Sequence, residues 1–160
     1  MKSATRLSTR IILSIVLAAV LGFAGTVIAA PPAGPGVQVV VKGSVDDAIT
    51  HLRKMVADSG MMVMGELHQG KVMSMTGLKL QSETIFIGSP TIGKDLFSAQ
   101  PGVGLVVPIR VNVYADAQGQ TVVSYTPPTQ QLSAFHDPKV DTIATMLDDS
   151  FQKMVGMLAK

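Results

Sequence analysis

Residues 105–125, LVVPIRVNVYADAQGQTVVSY, decide the fold. In the stretch from Leu105 to Tyr114, Ile109, Val111 and Val113 fall on one side of an extended chain. Arg110, Asn112 and Tyr114 fall on the other, because successive strand side chains point to opposite faces. This period of two marks a strand with one face in a core. Asp116-Ala117-Gln118-Gly119 reads as a hairpin loop, with Gly119 free to take positive φ. Thr121 to Tyr125 is the returning strand, and Pro127-Pro128 stops the sheet.

Working toward the C-terminus, Asp137-Pro138 pairs an N-cap with Pro at the first helical position. Val140, Ile143, Leu147, Phe151, Met154 and Leu158 then form one apolar stripe of a long helix. Toward the N-terminus, Glu83 to Ile87 is an apolar strand closed by Gly88-Ser89-Pro90, and Thr91 to Ala99 forms a short helix. Met61 to Leu67 is a further strand, while Lys71 to Met75 fits a short helix or a loop. Ser44 and Asp47 make a capping box for a helix whose face is Val45, Ile49, Leu52 and Val56, with Gly60 as its stop. Val37 to Val41 is β-branched and reads as the first strand. Mostly antiparallel strands with a long helix at each end give an α+β class.

The chain begins differently. Lys2, Arg6 and Arg10 precede an apolar run from Ile11 to Phe23, and Val27-Ile28-Ala29 supplies small residues beyond it. This order is that of a secretory signal, with cleavage after Ala29 or after Ala30. The alternative is an uncleaved membrane anchor, since Ile11 to Ala30 is long enough to span ~30 Å of hydrocarbon. With no Cys in the chain, a lipoprotein anchor, disulfides, thiolate metal sites and a Cys nucleophile are all excluded. The expected organisation is a signal peptide over 1–29, a Pro/Gly-rich leader and first strand over 30–43, and one α+β domain over 44–160. Expected localisation is periplasmic or secreted. Without residues 1–29 the chain carries ten Lys+Arg against eleven Asp+Glu, so the basic pI of 9.0 reflects the leader. A near-neutral domain gives no case for nucleic acid, which requires a clustered basic surface. Membrane contact is expected only through the leader.

Gly77-Leu78-Lys79-Leu80, Thr84-Ile85-Phe86-Ile87-Gly88-Ser89-Pro90 and Ala99 through Val111 resemble the domain of unknown function 302 family. The most specific element is Gly104-Leu105-Val106-Val107-Pro108-Ile109-Arg110-Val111, followed by a strand, a Gly turn and Ser124-Tyr125. The resemblance covers roughly residues 45–136. It implies a fold similar to the TATA-binding-protein-like class, a curved antiparallel sheet cupped around a long helix. It implies no activity. The chain departs from the family pattern at Ser89, where Asn is usual, and at Leu67, where an Asp precedes the His.

Three readings of function follow. The first is a non-catalytic binding module for a small or apolar ligand, enclosed between sheet and helix. The second is Cu(I) or other metal handling by Met62, Met64, Met73, Met75 and His68, a soft-ligand set in a chain without Cys. Met is also a filler of irregular cores, and no cofactor is expected. The third is a small enzyme using Glu66, His68 and Arg110, which requires these three side chains to converge. Alternation puts Glu66 and His68 on one face, where a carboxylate can orient an imidazole or simply cap a strand. Arg110 can grip a carboxylate or phosphate, or pair with an acid. Gly102-Val103-Gly104 is too short for a phosphate cradle, and no hydroxyl sits in a nucleophile elbow.

Overall fold

The computed structural model describes residues 36–159. The expectations for the signal, its cleavage at Ala29 or Ala30 and the start of the leader lie outside them. The elements run β1 (Val37–Val41), α1 (Val45–Asp58), β2 (Met62–Leu67), α2 (Gln69–Ser74), β3 (Ser82–Gly88) and α3 (Pro90–Ala99). A 3-10 turn (Pro101–Leu105) leads to β4 (Ile109–Ala115) and β5 (Thr121–Tyr125). The chain ends with α4 (Pro128–Leu132), a second 3-10 turn (Ser133–Phe135) and α5 (Pro138–Leu158). Among the described residues no helix is long and apolar enough to cross a membrane.

The five strands form one antiparallel sheet in the order β1-β5-β4-β3-β2. The α+β expectation holds: the sheet is curved and the long C-terminal helix packs on it. Register fixes the faces. Val113 stands between Glu83 and Val123, and Val111 between Ile85 and Tyr125. Ile85, Ile87, Ile109, Val111, Val113 and Val123 are buried, and they share one core with Leu52 of α1 and Phe151 of α5. The Tyr125 and Phe151 ring centroids are 5.4 Å apart, within the range of favourable aromatic contact.

The caps form as the sequence implies. Ser44 Oγ accepts from the Asp47 amide at 3.1 Å, and Asp47 Oδ2 accepts from the Ser44 amide at 3.0 Å. Asp137 Oδ1 accepts from the Lys139 and Val140 amides. Gly119 has φ +75 in the β4–β5 loop. Two local expectations change. Strand β4 starts at Ile109 and not at Leu105, because the Val106 and Val107 amides both donate to the Val103 carbonyl and Pro108 has none to offer. Pro128, read as a stop, opens the short helix α4, where its missing N–H costs nothing.

Candidate functional site

On the helix-covered face, two carboxylates, a guanidinium and an imidazole meet. Glu66 opposes the buried Ile85 across β2 and β3, and Glu83 lies two residues before Ile85 on the same face. Arg53 reaches both from α1. Its Nε donates to Glu66 Oε1 at 2.8 Å, and its Nη2 donates to Glu66 Oε2 at 2.9 Å and to Glu83 Oε1 at 3.0 Å. The bond to Glu66 holds the Arg53 pKa above the ordinary guanidinium value; partial burial opposes this, and the charges of Glu66 and Glu83 reinforce it. His68 caps the start of α2, with Nδ1 3.0 Å from Glu83 Oε2 and Nε2 4.0 Å from Glu66 Oε2. One ligand-type atom from each of Glu66, His68 and Glu83 lies within 4.8 Å of the others. The guanidinium already stands where a cation would neutralise both carboxylates. Beside this cluster runs a cleft of about 480 Å³, lined by His68, Glu83, Lys71, Ser44 and Asp46 among others.

Sequence reasoning found Glu66 and His68 and missed Arg53 and Glu83. The signal for Glu83 was present: it shares parity with Ile85 and Ile87, so an acid stands on the core-facing side of the strand. Arg53 follows the buried Leu52 on α1 and carries no comparable mark.

Arg110 stands on the other face of the sheet. It opposes Phe86, and its guanidinium carbon lies 5.8 Å from the Phe86 ring centroid. It forms no ion pair among the described residues. A cleft of about 400 Å³ opens here, with Leu105, Val107 and Pro108 as apolar wall and Asn112, Ser124 and Gln131 as polar wall. Among the described residues Arg110 is the only charged one lining it. Next to the cleft, Gln69 donates to the Thr84 hydroxyl, and Thr84 and Ser82 both donate to Asn112 Oδ1 at 3.1 Å. Such a chain fixes the Asn112 amide in the sheet face.

The family model for the domain of unknown function DUF302 matches residues 37–160. The chain belongs to this family. Its fold is also that of a crystal structure of the uncharacterized conserved DUF302 protein from Bacillus stearothermophilus. That structure is 17% identical with a TM-score of 0.72, over 76% of this chain and 96% of the other. No curated protein matches.

The DUF302 sheet separates residues that the enzyme reading needed together. Glu66 and His68 are gathered at the helix-covered face, whereas Arg110 lies on the opposite face, so the three do not converge. The methionines do not gather either. A β-bulge sets Val63 against Ile87 and Gly65 against Phe86, leaving Met64 as the extra residue and ending simple alternation along β2. An extended strand places Met62 about 20 Å from His68. Met64 lines an apolar crevice of about 140 Å³ with Met61, Ile92, Leu96 and Phe97. Met73 lies within α2 and Met75 caps its C-terminal end, so they do not share the strand face that an extended chain would give them. The segment is helical instead, with the Val72 amide donating to the His68 carbonyl and the Met75 amide to the Val72 carbonyl.

Proposed function

We propose that this DUF302 domain is an exported, non-catalytic binding module for a small molecule with an apolar body and one negative charge. The ligand sits in the cleft at Arg110. The observation that carries the reading is a guanidinium that, among the described residues, has no ion-pair partner and is the sole charge in a cleft whose other walls are apolar or neutral. Arginine presents a rigid fork of donors that suits a carboxylate or phosphate. The Phe86 ring under it holds the cation without neutralising it. A volume near 400 Å³ falls in the range of small-molecule sites, about 300–1,000 Å³, which the 140 Å³ methionine crevice does not reach. Gly104, Leu105, Pro108 and Arg110, all in the family's most specific stretch, line the cleft.

Hexanoate is a suitable probe, titrated calorimetrically against hexanamide. Hexanoate is expected to bind, hexanamide to bind at least tenfold more weakly, and Arg110→Ala to abolish the difference. Equal binding of acid and amide, or an unaltered Arg110→Ala titration, refutes the assignment.

A further inference from the structure

We propose that α2 and the loop after it form a docking face for an anionic lipid surface. The segment itself carries only basic charge, although Asp46 and Glu83 line the cleft on its inner side. Residues 67–82 contain no Asp or Glu, yet they carry His68, Lys71 and Lys79. Neither lysine forms an ion pair among the described residues. Between and around them apolar side chains stand in solvent: Met75 is 85% exposed, Leu78 53%, Val72 45% and Leu80 37%.

The arrangement is two-sided. Gln69, Gly70 and Met73 are half-buried against the sheet, and Lys71, Val72, Ser74 and Met75 are exposed. Val72 and Met75 are three residues apart, neighbours on one helical surface. Gly70 lets α2 lie close against the Leu80 carbonyl at the lead-in to β3, with the other side of α2 toward solvent. Apolar side chains bracketed by lysines match the layering of a bilayer interface: apolar groups enter the acyl boundary, and the cations meet phosphates. A second copy fits this face less well. A two-fold contact would bring both copies' Lys71 and Lys79 to one interface, whereas an anionic surface supplies the opposite charge to both.

The absence of Cys makes a labelling test clean. An environment-sensitive dye is attached to Met75→Cys in one preparation and to Gln118→Cys, in the exposed β4–β5 loop, in another. On phosphatidylglycerol vesicles the dye at position 75 is expected to shift to the blue and the dye at 118 to stay in water. Adding Lys71→Gln and Lys79→Gln to the Met75→Cys chain should raise the vesicle concentration at half-shift about thirtyfold, the worth of two cations at an anionic surface. Four results overturn the proposal: no shift at 75, the same midpoint on phosphatidylcholine, a midpoint indifferent to the lysines, or a shift that grows with protein concentration without vesicles. The last would assign the face to a second copy of the chain.

Discussion

On its helix-covered face the sheet turns Ile85, Ile87, Val111, Val113 and Val123 toward α1 and α5, each no more than 1% exposed. One position along the same strands, Thr84, Phe86, Arg110, Asn112 and Ser124 occupy the outer face. The first set has only dispersion and the hydrophobic effect to offer. The second has hydroxyls, an amide and a guanidinium, joined in part by the Gln69–Thr84–Asn112 chain of hydrogen bonds. Both sets share one backbone ladder, so the difference lies in the side chains alone. It teaches where stability and recognition separate: replacements on the helix face should change folding, and replacements around Arg110 should change binding.

The largest expected effect breaks the helix face. Phe151, buried at the sheet–helix junction against Tyr125, leaves a cavity when cut to Ala. Phe151→Ala should lower unfolding free energy by about 3–5 kcal/mol, read by urea denaturation. A loss below about 1 kcal/mol would mean that the junction collapses freely and that the core lies elsewhere.

The two faces were unequally legible in the sequence. Alternation at Ile109–Tyr114 and the 3.6 period of α1 and α5 are imposed by burial, and burial leaves periodic patterns, so fold and core were readable. The β2 bulge was not, because Met62, Val63 and Met64 are all apolar and give no sign of which residue is extra. The site was half legible. His68 and Glu66 are close in sequence; Glu83 and Arg53 join them only through strand pairing and helix packing, 30 residues apart from each other. Arg110 was visible as a charge within a strand, but its lack of an acidic partner is a property of three-dimensional neighbours.

A smaller effect concerns the helix ends that frame the core. Amide donation from Val140 holds the Asp137 carboxyl below its ordinary 3.8; burial opposes this, and Lys139 and Gln100 add to the lowering. Donation from the Ser44 amide, then from its hydroxyl, does the same for Asp47. A depressed folded pKa contributes stability that is fully present above the unfolded value and is lost as pH falls through the folded one. Melting temperature should therefore fall in acid below pH 3.8, the ordinary value for both carboxyls. The Asp47→Asn/Asp137→Asn pair should show a shallower decline in the same melts. An identical acid slope in the double variant would place the sensitivity elsewhere.

The smallest expected change in stability is also the most informative. Arg110 is exposed, without an ion-pair partner among the described residues, and lies over the Phe86 ring, an interaction worth about 0.5–1 kcal/mol at such a site. Arg110→Ala should shift the urea midpoint by no more than that while abolishing discrimination between hexanoate and hexanamide. Its chain neighbour Val111 is fully buried on the other face, and Val111→Ala should cost about 1.5–3 kcal/mol while leaving the discrimination intact. Adjacent residues would then have exchanged no function across the thickness of one strand. If Arg110→Ala instead destabilises as much as Val111→Ala, the guanidinium is part of the packing of the outer face. The cleft beside it would then be a seam in the fold rather than a place for a ligand.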